Sequence, residues 1–164
     1  MEKVIIVGCP GAGKTTFAVA LGEKLHIPVH HLDAHFWLKN WTPRPQEEFR
    51  HIQTELMQQD RWILDGNFKK SVPHRIAMAD TIFLFDFPKI VNLWRSFKRY
   101  LKHRGSMRPD MGSGNKEALR WKFIKYILLY PRKKFENDVI SLAKGKTVII
   151  FRNSKEVADF LANI

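Results

Sequence analysis

The run Val4-Ile5-Ile6-Val7-Gly8-Cys9-Pro10-Gly11-Ala12-Gly13-Lys14-Thr15-Thr16 decides how this chain folds. Its first four residues are apolar without a break, the mark of a strand buried on both faces. Residues 8–15 then satisfy the pattern G-x-x-x-x-G-K-[ST]. The chemistry requires that layout. Glycines let the backbone curl until several N–H groups point at one phosphate. The helix opening near Gly13 adds the positive end of its dipole. Lys14 can bridge the β- and γ-phosphates of a nucleotide, and Thr15 can ligate Mg²⁺. Cys9, inside the loop, reads either as a small filler or as a redox-sensitive thiol.

Four more short apolar runs follow, at residues 27–32, 61–64, 81–85 and 146–151. None alternates with polar residues, and helical stretches separate them. A parallel sheet with crossover helices is the architecture this order predicts, an α/β fold with five strands. The helices announce themselves by their edges. One spans 14–25, with apolar residues at 17, 18, 21 and 25. Pro45 opens a second, with Glu47 and Glu48 in its first turn, where the dipole favours anions. A third, 90–101, carries Leu93, Trp94, Phe97 and Leu101 along one stripe. A fourth, 116–130, carries Leu119, Phe123, Ile127 and Tyr130, and Pro131 stops it. Ser154 is expected to cap the last, 155–161. The stretch 104–115, rich in Gly, Pro and Ser, reads as a mobile loop.

In open parallel sheets, ligands bind beyond the carboxyl ends of the strands. Asp33, Asp65 and Asp86 all fall at such ends. Asp65, before Gly66, suits a carboxylate that holds hydrated Mg²⁺ together with Thr15. Asp33 can take a proton from a substrate hydroxyl or bind the substrate. Asp86 can do either, or cap the next helix. Arg95 and Arg99, four apart, share one helix face. Arg104 and Arg108 flank the glycine-rich loop, and Arg120 lies beyond it. Arginines on a closing loop stabilise the charge that phosphoryl transfer spreads over the γ-phosphate.

The 164 residues, 45% hydrophobic and 27% charged, fit one globular domain. No apolar run reaches the ~18 residues of a membrane span. The N-terminus shows no signal-peptide layout, and a lone cysteine forms no internal disulfide. The expectation is a cytoplasmic protein. Residues 89–146 hold sixteen Lys/Arg and four Asp/Glu, so this segment carries the whole net charge of +12. Such a field attracts a nucleotide's phosphates, a nucleic acid or an anionic membrane alike. His30, His31 and His35 lie close together without metal-ligand spacing to any cysteine.

With these motifs in order, the chain resembles the adenylate-kinase-like branch of P-loop proteins over nearly its whole length. Leu64-Asp65-Gly66 looks like the L-D-G before the substrate-binding turn of nucleotide kinases. Arg95-x-x-x-Arg99 looks like the arginine pair that opens their lid. Asn153, after the last strand, falls where that family wraps backbone around adenine. A closer likeness is to the small bacterial DNA topology modulation proteins, through Leu32-Asp33-Ala34-His35-Phe36-Trp37, the D-G-N at Asp65 to Asn67, and Arg-Pro-Asp-Met at 108–111.

The resemblance implies a three-layer P-loop fold of the nucleotide-kinase kind in one domain. Its core would be 1–33, 61–103 and 131–164, with a substrate-binding insertion at 34–60 and a lid at 104–130. It implies ATP with Mg²⁺, the nucleotide held by Gly8, Pro10, Gly11, Ala12, Gly13, Lys14, Thr15 and Thr16 with Arg95 and Asn153. Lys14, Asp33, Arg99, Arg104 and Arg108 would serve transfer. Adenylate kinases follow L-D-G with a Phe-Pro-Arg turn, where this chain has Asn67-Phe68-Lys69. The acceptor would meet Asp33, Phe36, Trp37, Arg44, Asn67 and Arg75. Aromatic rings there can stack a flat group, while Phe36 and Trp37 equally suit a core, and Arg44 or Arg50 can hold an acceptor phosphate. A small-molecule kinase is the first reading. A nucleotide-binding protein that binds DNA non-specifically through 89–146 and modulates its topology is the alternative, and an ATP binder without transfer activity is the third.

Overall fold

The computed structural model describes residues 1–105, 115 and 121–164. Arg108, Arg120, the run at 108–111 and most of the glycine-rich loop lie outside the described residues, as does the start of the helix expected at 116–130. Five parallel strands form one sheet: β1 (Lys3–Gly8), β2 (Val29–His31), β5 (Trp62–Asp65), β6 (Thr81–Phe85) and β7 (Thr147–Phe151). Their order is β2-β5-β1-β6-β7, so β1 is central. The register pairs Ile6 with both Asp65 and Phe83, and His31 with Asp65. That alignment brings Gly8, His31, Asp65 and Phe85 to the carboxyl edge together.

Alternate residues of each strand feed two cores, one on each face of the sheet. Ile5, Val7, Leu64, Ile82 and Leu84 pack on one side. There they meet α3 (Gln46–Met57), α4 (Val72–Met78) and α7 (Arg132–Leu142) through Phe49, Ile76 and Val139. Val4, Ile6, Ile63, Phe83 and Phe85 face α1 (Lys14–Leu25) and α8 (Ser154–Ala162). Phe17 anchors that second side, with its ring 4.8 Å from Phe83 and 5.3 Å from Phe151. The unbroken apolar runs are thereby explained, because both strand faces are covered.

Between β2 and β5 the chain departs from the expected strand-to-helix path. Leu32 and Asp33 do not extend β2; they open a short helix, α2 (Leu32–Phe36). A two-stranded hairpin follows, β3 (Trp37–Leu38) against β4 (Thr42–Pro43), ahead of α3. Two further helices were not foreseen. α4 carries Pro73 in its first turn, and α7 begins after Pro131, which caps it rather than merely ending α6 (Trp121–Leu128).

Two other expectations need correction. Asn153, not Ser154, caps α8: its side chain accepts the Glu156 amide at 3.0 Å. Of the apolar stripe of α5 (Lys89–His103), only Leu93 packs on the core. Asn92 and Ser96 are buried, while Trp94, Phe97 and Leu101 are exposed. The helix is rotated so that Arg95 and Arg99 point at the loop after β1.

Candidate active site

A pocket of about 990 Å³ opens over the carboxyl edge of the sheet. Its floor is the loop between β1 and α1. Gly8 and Gly11 hold φ of 136° and 81° there. A Cβ at Gly11 would sit 2.2 Å from the Asn92 carbonyl oxygen, so no other residue fits under α5. The Lys14 ammonium donates to the Cys9 carbonyl oxygen across 3.1 Å. Burial pushes its pKa below that of an ordinary lysine, against the pull of Asp65 and Asp33. Cys9 itself is buried, and burial raises its thiol pKa, as for an inert filler.

Thr15 Oγ1 donates to Asp65 Oδ2 at 2.8 Å. The same oxygen lies 3.1 Å from His31 Nδ1. Asp65 is 5% exposed, so the three groups form a compact cluster at the ends of β2, β5 and the loop. A hydroxyl and a carboxylate are hard oxygen donors, the set Mg²⁺ prefers. His31 was not anticipated as Asp65's neighbour, although its place at the end of β2 was readable. Among the described residues, no group of three or more His, Cys, Asp or Glu is placed to hold a metal by itself.

Arg95 and Arg99 both line the pocket. Arg95 donates to the Ala12 carbonyl at 2.9 Å and to Ser154 Oγ at 2.5 Å, with its guanidinium over the Phe87 ring. Arg99 lies over the Phe123 ring, 5.8 Å from its centroid. Asp33, Trp37 and Asn67 line the pocket too. The Asn67 side chain accepts the Gly8 amide at 2.9 Å, so it braces the phosphate loop.

Other expected site residues are elsewhere. Phe36 is buried against Trp37, Phe49 and Phe68, making it part of the core. Arg75 is fully buried under the turn after β5 and does not face an acceptor. It donates to the carbonyls of Gly66 (2.7 Å), Asn67 and Phe68. Burial depresses its pKa to about 9, with Asp65 opposing. Arg44 is tied to the His35 carbonyl at 2.7 Å and to Glu48 at 3.0 Å, outside the pocket. Arg104 is exposed at the end of α5 and lines no part of it. Asn153 spends its side chain on the α8 cap, and Ser154, Val157 and Leu161 line the pocket in its place. Asp86 pairs with Arg132 at 2.6 Å and Arg152 at 2.8 Å, which makes it structural.

Sequence reasoning missed Lys69, Lys122 and Tyr126, which also line the pocket. The i, i+4 pair Lys122 and Tyr126 lay in a predicted helix. Only the three-dimensional path of α6 brings it over the sheet edge. Tyr126 sits against Asn67, and burial raises its pKa.

No family model matches the chain, and no curated protein does. Solved structures do. A shikimate kinase from Acinetobacter baumannii in complex with shikimate aligns with TM-score 0.59 at 16% identity, over 99% of this chain and 90% of its own. A shikimate kinase from Bacteroides thetaiotaomicron aligns with TM-score 0.54 at 15% identity, over 98% and 94%. The chain has the P-loop fold of these kinases, with a five-stranded parallel sheet and its phosphate loop after the central strand.

Proposed function

We propose that this chain is an ATP-dependent phosphotransferase acting on a hydroxyl of a small molecule. The observation that carries the reading is one pocket in which Lys14, Thr15 and Asp65 meet Asp33, Arg95 and Arg99. Phosphoryl transfer asks for little covalent chemistry from a protein. It needs phosphates held, negative charge matched and a nucleophile placed in line.

The chain's own residues divide those tasks. Backbone amides of the loop from Gly8 to Thr16 cradle phosphate, and Lys14 reaches the β- and γ-phosphates. Thr15 and Asp65 would hold Mg²⁺, which when bound neutralises charge on the β- and γ-phosphate oxygens. Arg95 braces the loop through Ala12 and, with Ser154, Val157 and Leu161, borders the space for the nucleoside. Arg99 stabilises charge as it moves toward the leaving oxygen. Asp33 takes the acceptor's hydroxyl proton as that oxygen bonds to the γ-phosphorus. The bond from this phosphorus to the β,γ-bridging oxygen breaks, and ADP leaves. Segment 34–60 is assigned to the acceptor in this reading, and 104–130 to closure.

DNA contact through 89–146 rests on charge alone, and among the described residues part of that charge is committed within the fold. Arg95 faces the pocket, Arg132 pairs with Asp86, and Lys146 donates to the carbonyls of Ala77 and Ala79.

The test is Mg·ATP turnover against nucleosides, nucleoside monophosphates, shikimate and other hydroxylated metabolites, with Lys14→Ala as control. The expected result is one acceptor class that raises Lys14-dependent ADP release well above background hydrolysis. ATP binding without acceleration by any acceptor would sink the proposal.

A further inference from the structure

The acceptor end of the pocket is walled by indoles, one of them delivered by an unfavourable backbone. In the β3–β4 hairpin, Asn40 and Trp41 adopt successive left-handed conformations, with φ of 60° and 59°. A bulky side chain is disfavoured in that region. Such strain persists only where the surroundings over-determine it, and it collects at ligand clamps. Here Asn115 Oδ1 accepts the Trp41 amide at 2.7 Å, which fixes the hairpin from a residue 74 positions away. The Trp41 ring then lies 5.6 Å from Trp37 at 67°, and both indoles line the pocket with Asp33.

Charge at this end is equally informative. Arg44 and Arg75 are committed to Glu48 and to backbone carbonyls. Lys69 lies over the Tyr130 ring, 5.0 Å from its centroid, and within 5.9 Å of those of Tyr126 and Phe135. Lys122 is exposed, a single flexible ammonium. A phosphate monoester or a carboxylate selects an arginine fork, and among the described residues none of Arg44, Arg50 and Arg75 lines the pocket to offer one.

We infer that the acceptor is a neutral, ring-bearing alcohol, a nucleoside or a cyclic polyol, stacked on the Trp37/Trp41 pair with one hydroxyl turned to Asp33. The inference rests on the kinase reading above and narrows its acceptor class. An indole face accommodates both a flat heterocycle and the C–H face of a saturated ring, so the shared chemistry is the neutral ring alcohol.

The experiment is calorimetric titration of the full chain, without ATP, using uridine and myo-inositol beside uridine monophosphate and shikimate. A neutral alcohol is expected to bind most tightly. Trp41→Ala should weaken it by about tenfold or more, with Trp41→Phe restoring most of the affinity. Tighter uridine assigns a heterocycle, and tighter myo-inositol assigns a polyol. Tighter binding of the monophosphate or of shikimate overturns the inference, as does wild-type affinity in Trp41→Ala. Titration needs no turnover, so the two proposals fail separately. Tryptophan-dependent binding without Lys14-dependent ADP release removes the kinase reading and leaves this site standing.

Discussion

Asn67 Oδ1 accepts the backbone amide of Gly8 across 2.9 Å, which joins the turn after β5 to the first residue of the phosphate loop. Gly8 is the point where β1 must leave the sheet, and its φ of 136° closes that position to other residues. Asn67 therefore braces the loop that begins at Gly8, and we propose that it serves the nucleotide side of the pocket rather than the acceptor expected from its place after L-D-G.

Replacing Asn67 with Ala separates those roles. The loop loses one fixed amide, worth about 1 kcal/mol for a neutral hydrogen bond. The KM for ATP should rise about fivefold, and the acceptor KM should stay near the wild-type value. Steady-state kinetics with each substrate varied in turn reads the difference. A rise confined to the acceptor KM would return Asn67 to the substrate site.

If the pocket takes ATP as proposed, Lys14 should make that binding sensitive to alkaline pH. Burial lowers its pKa, so it gives up its proton at a lower pH than an ordinary lysine. The charged form binds phosphate; affinity is therefore full below the lowered pKa and falls as pH rises through it. Lys14→Arg keeps its charge throughout. Calorimetric ATP titration across pH 7 to 10 should show a declining wild-type curve and a flat curve for the variant, displaced to weaker binding by altered geometry.

The parts of this protein that were legible in its sequence are those fixed by local pattern. Val4 to Val7 and Thr81 to Phe85 read as doubly buried strands because no polar residue interrupts them. The turn from β1 into α1 is legible because the glycines at Gly8, Gly11 and Gly13 supply the positive φ values it needs. Arg75 was not, because its role comes from burial beneath a turn nine residues upstream. Asn153 and Ser154 are adjacent good caps, and only the backbone's entry angle chooses between them. The stripe Trp94, Phe97, Leu101 is truly helical, yet periodicity cannot say which face meets the core. In the fold the opposite face meets the loop after β1, with Arg95 reaching Ala12 and Asn92 and Ser96 packed over Gly11.

Arg75 ties three successive carbonyls to one guanidinium, and Phe68 in the same turn holds a left-handed φ of 33°. Arg75→Ala leaves those oxygens buried without donors, a loss of about 3 kcal/mol. For a chain of this size that lowers Tm by roughly 10 °C. Arg75→Lys should rescue less than half, because one ammonium cannot span the fork. Thermal unfolding of both variants checks this; a wild-type Tm in Arg75→Ala would show that the turn holds itself.

The cluster Asp86, Arg132, Arg152 and Glu136 sets acid stability. Asp86, buried, receives both arginines, and Arg152 also donates to Glu136 at 2.6 Å. Asp86→Ala strands two guanidinium groups beside a buried site and should cost about 3 kcal/mol. Glu136 is held below the usual carboxylate range by its hydrogen bond to Arg152. Its contribution is complete above the unfolded carboxylate pKa and is lost as pH falls through the lower folded value. Glu136→Gln should therefore unfold at a lower Tm than the wild type at pH 7, and the two Tm curves should converge as the pH drops below 4. Parallel curves across that range would mean that Arg152 holds Asp86 alone and that Glu136 only screens it.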